Sequence, residues 1–113
     1  MAKISMRGQG NIRQIAECLT RDIENSGLSC TVVDSVSRTV GSESVIVIVF
    51  EKYYMRSSNR ASLTVLLTSQ DGNINVDAIG SGGGQDPVFR FSWGAEENFV
   101  GTAERCLRQY GFR

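Results

Sequence analysis

Histidine is absent from this 113-residue chain. That absence removes Ser-His and Cys-His nucleophilic pairs, imidazole-ligated zinc and the commonest general base together. Cysteine is scarce and odd in number. Cys18, Cys30 and Cys106 are widely spaced, unlike a disulfide framework or a Cys-x-x-Cys metal pair, and they read as buried free thiols. Net charge is lacking too: 12 basic and 12 acidic side chains cancel, so no overall field draws the chain to nucleic acid or anionic lipid. No apolar run approaches the ~20 residues of a membrane span, and Met1-Ala2-Lys3 leads into an alternating pattern without the apolar core of a signal peptide. A cytoplasmic protein with no metal, no cofactor and no membrane partner is expected.

What is present is a strand. Val45-Ile46-Val47-Ile48-Val49-Phe50 is β-branched, uninterrupted and too short for an ordinary buried helix, so it reads as a strand covered on both faces. Before it, Lys3 to Arg7 alternates as a half-buried strand and ends at Gly8. Asn11 is a good N-cap with Gln14 three residues on, and Ile12, Ile15, Ala16, Leu19 and Ile23 recur at helical spacing up to Gly27. Cys30, Val32 and Val36 alternate with Thr31, Ser35 and Ser37, a second strand that runs out at Gly41-Ser42.

After the central strand, Ser57-Ser58-Asn59 supplies a turn, and Ala61, Leu63, Val65 and Leu67 form the apolar face of the return strand. Asp71-Gly72 is the strongest hairpin signal, a two-residue turn with positive φ at both positions, which sets Leu67 opposite Val76 and Val65 opposite Ala78. The next strand ends in Gly80-Ser81-Gly82-Gly83-Gly84. A short extended piece, Val88 to Phe91, leads through Trp93-Gly94 into a last helix with Phe99, Ala103, Cys106, Leu107 and Tyr110 on one face, stopped by Gly111. The fold class is therefore α+β, a single domain over residues 1–113 in the order β-α-β-β-β-β-α, with a largely antiparallel sheet and two helices on one face.

No stretch carries a specific catalytic signal. Gly8-x-Gly10 after a strand looks like the start of a dinucleotide fold, but Arg13 replaces the third glycine and no second βαβ unit follows. The glycine run Gly82, Gly83, Gly84 with Gln85 is the candidate anion nest, although no Lys-Ser or Lys-Thr follows it and a structural bulge competes with that reading. Lys52-Tyr53-Tyr54-Met55-Arg56 with Arg60 interleaves basic and aromatic residues, as single-strand nucleic-acid binders do, yet exposed strand ends look the same and nucleic acid is not an expected partner. Glu51 is the odd carboxylate beside two tyrosines. The candidate ligand set is thus Gly82, Gly83, Gly84, Gln85, Glu51, Tyr53 and Arg60, for an unidentified small anion or nucleotide phosphate.

Glu51-Lys52-Tyr53-Tyr54, Asn59-Arg60-Ala61-Ser62-Leu63, Ser81-Gly82-Gly83-Gly84-Gln85 and Phe91-Ser92-Trp93-Gly94-Ala95-Glu96 together resemble short bacterial proteins of a domain of unknown function, number 6054, over nearly the whole length. The resemblance implies a small cytoplasmic bacterial protein with no assigned activity and carries over no catalytic residue. The element order is also similar to one half of the TATA-binding-protein saddle, a half that leaves one sheet face bare, and an analogy of form says nothing of DNA.

The central strand has two apolar faces, Val45, Val47 and Val49 on one and Ile46, Ile48 and Phe50 on the other. A three-residue loop at Ser57 to Asn59 would align Val49 with Leu67, and a four-residue loop would align Phe50 with it; the sequence leaves both open. Two helices cover one face, so a second apolar face remains, and a patch of that kind is unusual on a monomer. A homo-oligomer, most simply a two-fold dimer, is expected through Ile46, Ile48, Phe50, Leu66 and Ile79. The functional expectation is a non-enzymatic binding or assembly module, with the small-ligand binder as its alternative.

Overall fold

The structure, a computed structural model, describes residues 2–27, 29–54, 58–82 and 95–113. Its elements are β1 (Ala2–Gln9), α1 (Ile12–Glu24), β2 (Cys30–Val40), β3 (Glu43–Tyr54), β4 (Asn59–Gln70), β5 (Asn73–Gly82) and α2 (Ala95–Gln109). The five strands form one antiparallel sheet in the order β1-β5-β4-β3-β2. Hairpins join β2 through β5 in sequence, and α1 carries the chain from one edge strand to the other. The expected pieces at Val88 to Phe91 and Trp93-Gly94 lie outside the described residues.

Local chemistry places most of these elements. The Asn11 side chain accepts a hydrogen bond from the Gln14 N–H at 3.1 Å, capping α1. The helix closes at Asn25, ahead of Gly27, with the Asn25 N–H donating to the Arg21 carbonyl at 3.0 Å. Asp71 and Gly72 have φ of 54° and 80°, the pair of positive values that a type I′ turn requires. Their turn sets Leu67 opposite Val76 and Val65 opposite Ala78, as expected.

The β3–β4 register differs from both alignments open in the sequence. Phe50 lies opposite Leu63 and Ile46 opposite Leu67. The aromatic pair Tyr53-Tyr54 extends β3 past its apolar run and Asn59 already belongs to β4, so the connection falls at 55–58. Residues 55–57 are outside the described residues. The resulting register puts Ile46, Ile48 and Phe50 on the same face as Ala61, Leu63, Val65 and Leu67.

That face is the core. Both helices cover it, and Ile46, Ile48 and Phe50 are 8%, 2% and 0% exposed among Leu19, Ile23, Phe99, Ala103 and Leu107. These three side chains are therefore not free to form an interface, which corrects the sequence expectation. Leu66 and Ile79 stand on the opposite face, half-buried.

A second correction concerns β2. Val32 pairs with Phe50 but Asp34, not Val33, pairs with Val49. The extra residue is a bulge, and one inserted residue exchanges the two faces of everything after it. Val36, which simple alternation sets on the face of Cys30 and Val32, is instead 45% exposed on the uncovered face beside Val47, while Ser35 and Ser37 turn to the helix side opposite Ile48 and Ile46.

At the other end of the chain α2 finishes in a Schellman motif. The Phe112 N–H donates to the Leu107 carbonyl at 3.0 Å and the Gly111 N–H to the Arg108 carbonyl at 3.1 Å, with Gly111 at φ +90°. This return buries Phe112 over β1 and brings the Arg113 N–H within 2.9 Å of the Arg7 carbonyl.

Candidate functional site

Side chains directly opposite one another across an antiparallel sheet share a face, so the register fixes what the uncovered face presents. Its middle row runs Val36, Val47, Leu66, Asp77, Ser5. The row on one side runs Asp34, Val49, Thr64, Ile79, Lys3, and the row on the other runs Arg38, Val45, Thr68, Asn75, Arg7. An apolar zone of Val36, Val45, Val47, Val49, Leu66 and Ile79 is thereby bounded by charge on both sides. Lys3, Arg7 and the Ser5–Asp77 hydrogen bond close it toward β1, and Asp34 and Arg38 close it toward β2. The five members other than Val36 are half-buried by their neighbours in the sheet.

The candidate ligand residues gather in part. Glu51 and Arg60 form an ion pair at 3.0 Å on the uncovered face, with Tyr53, 39% exposed, opposite Arg60. Gly82 ends β5 opposite Ala61 at the same end of the sheet. Gly83, Gly84 and Gln85 lie outside the described residues. Strand alternation divides the basic-aromatic stretch. Tyr53 and Arg60 face outward, whereas Lys52 and Tyr54 face the helices, where the Lys52 ammonium stands 5.1 Å from the Tyr54 ring centroid and 6.0 Å from that of Phe99. That geometry occupies Lys52 in cation–π contacts.

On the helix side, a groove of about 490 Å³ lies between α1 and β2. Ser35, Ser37, Ile46 and Ile48 form its floor, and the exposed Arg13, Glu17, Arg21 and Glu24 its rim. Two charges of each sign along that rim give no preference for an anion or a cation. Between the helices, the Tyr110 hydroxyl donates to the Asp22 carboxylate.

Burial pushes the Cys30 and Cys106 thiols up from their ordinary range, and the reactive form of cysteine is the thiolate. All three cysteines are free. Among the described residues, no cluster of three or more Cys, Asp or Glu side chains could hold a metal ion, and no helix is long and apolar enough to cross a membrane.

Val36, Asp34 and Arg38 were the residues that sequence reasoning missed, because the bulge at Val33 has no glycine or proline to announce it. The apolar run of β3 did signal a second apolar face, without saying which of its two sets occupied it. No curated protein matches the chain. Residues 1–111 match the family described as a family of unknown function (DUF6054), and the chain belongs to that family.

Proposed function

We propose that this protein is a non-enzymatic binding or assembly module of the bacterial cytoplasm, and that its working surface is the uncovered face of the sheet. The observation that supports this reading is the apolar zone itself. Val45, Val47, Val49, Leu66 and Ile79 are contiguous across three strands, and both helices pack on the other side. Contiguous apolar surface rimmed by polar residues is a mark of a docking site. The simplest occupant is a second copy in a two-fold dimer. The likeness to half of a TATA-binding-protein saddle fits this bare face as an analogy of form, and the absence of net charge weighs against a nucleic-acid partner.

Light scattering after gel filtration tests the assembly reading. The expected mass exceeds 12.4 kDa, and Leu66→Lys, which puts a charge at the centre of the zone, is expected to lower it. A wild-type mass of 12.4 kDa removes self-assembly and leaves a different protein as the occupant.

A second reading rests on the meeting of Glu51, Arg60, Tyr53 and Gly82 at one end of the sheet: a small anionic ligand held there, with the glycine run as its nest. Thermal unfolding against phosphate and nucleotides tests it, since a ligand at ~100 times its dissociation constant adds ~2.7 kcal/mol. An unchanged midpoint across those ligands removes this reading.

A further inference from the structure

The two edges of the sheet are treated differently. At β1 the C-terminal residues close over one end of the strand, with Phe112 on Gly8 and the Arg113 N–H on the Arg7 carbonyl. At β2 the described residues add no further strand, and residues 33–40 are exposed. A long free edge without proline is a template for pairing with another chain.

The backbone supplies the orientation. The Tyr53 N–H donates to the Ser29 carbonyl at 3.3 Å, so Tyr53 and every second residue before it in β3 aim their backbone groups at β2. Asp34, Val36 and Arg38, the partners of Val49, Val47 and Val45, aim theirs back. Ser35 and Ser37 therefore aim theirs outward. One backbone group of each is held within the strand: the Asp34 carboxylate accepts from the Ser35 N–H at 2.8 Å, and the Arg38 guanidinium donates to the Ser37 carbonyl at 2.9 Å.

We propose that β2 pairs with β2 of a second copy, antiparallel about a two-fold axis through Val36. In that register the Ser35 N–H meets the Ser37 carbonyl of the second copy. These are the two backbone groups that Asp34 and Arg38 now hold. Released, Asp34 stands opposite Arg38 of the second copy and Arg38 opposite its Asp34, in the close, non-hydrogen-bonded positions where cross-strand side chains lie nearest. The pattern Asp34-Ser35-Val36-Ser37-Arg38 is thus complementary to its own reverse. Shifting by two residues in either direction sets Val36 against a charge, so the charges select the register. The bulge at Val33 ends the pairing. The two sheets become one, and the rows Leu66, Val47, Val36 of the two copies run on into each other across the axis. This interface is distinct from the face proposed above and does not depend on it.

The test is a charge swap at tens of micromolar protein, read by light scattering. Asp34→Arg sets arginine against arginine and Arg38→Asp sets aspartate against aspartate. Each variant alone is expected to have half the wild-type mass, an association weakened roughly tenfold or more. An equimolar mixture of the two is expected to recover the wild-type mass, because each then meets the opposite charge, and D34R/R38D in one chain recovers it as well. Single variants that keep the wild-type mass overturn the proposal and place any assembly elsewhere, as on the Leu66 face. A mixture that stays at half mass also overturns it, as does a wild-type mass of 12.4 kDa. Single variants heavier than wild type overturn it too, since Asp34 and Arg38 would then be guarding the edge against pairing.

Discussion

The ring of Phe112 lies so close over Gly8 that a Cβ there would stand 2.7 Å from three of its carbon atoms. One residue thus owes its identity to the other. Gly8→Ala is expected to displace the ring and destabilise the fold by about 1–3 kcal/mol. Phe112→Ala, at a side chain only 3% exposed, should cost about 3–5 kcal/mol. The two are expected to be non-additive, because alanine at position 8 is harmless once the ring is gone. Urea denaturation of both single variants and the double variant reads the coupling; additive costs would separate Gly8 from Phe112.

Stability should decline in alkali, and the direction follows from four raised groups. Burial is the leading cause at Cys30 and Cys106, which rise from 9.0, and at Tyr54 and Tyr110, which rise from 10.0, Tyr110 furthest through its bond to Asp22. A group whose folded pKa exceeds its unfolded pKa gives stability that is complete below the unfolded value and is lost as pH rises through the folded one. These groups therefore add nothing pH-dependent below about pH 9 and reduce stability above it, the thiols first and the phenols next. Tyr110→Phe is expected to cost about 1 kcal/mol at neutral pH, since it leaves Asp22 partly open to water, and to flatten the decline above pH 10. Urea midpoints between pH 7 and 11 check both, and a midpoint that rises with pH contradicts the assignment.

The parts of this fold legible in the sequence are those with local chemical causes. Asn11 caps because an amide side chain mimics the missing turn, and Asp71-Gly72 fixes the β4–β5 register because few sequences accept two positive φ values. The helix-facing stripes of α1 and α2 are likewise local. The rest depended on pairing between distant segments. Whether Ile48 or Val47 enters the core rests on where a loop begins, and Ser57-Ser58-Asn59 offered no residue demanding one turn type. The bulge at Val33 moves Val36 across the sheet with no change in composition. Phe112 was invisible because only the tertiary approach of α2 to β1 gives it a pocket.

At the β4–β5 turn, Gly72→Val should cost about 1–3 kcal/mol, because a β-branched residue is strained at φ +80° while nothing stands near its Cβ. Asp71→Asn is expected to be nearly neutral, as asparagine accepts the same conformation. Thermal melts of the two variants decide the matter. Equal losses would mean that the turn is held by its side chains and not by its backbone.

Substitutions at Ile48 and Val47 separate the two faces of β3. Ile48 is 2% exposed and packed beneath the helices, while Val47, its neighbour in sequence, looks out from the bare side. Ile48→Ala removes buried volume and should cost about 2–5 kcal/mol, whereas Ile48→Asp should prevent folding, because an unpaired carboxylate cannot be left in that core. Val47→Asp is expected to leave a cooperatively folded chain, its carboxylate reaching water. What it should change is the working surface: if the bare face is buried against a partner, V47D lowers the assembled mass while its far-ultraviolet circular dichroism stays that of the wild type. Were V47D to unfold the chain and I48D to leave it folded, the face assignment would be reversed, and with it the surface on which the proposed function rests.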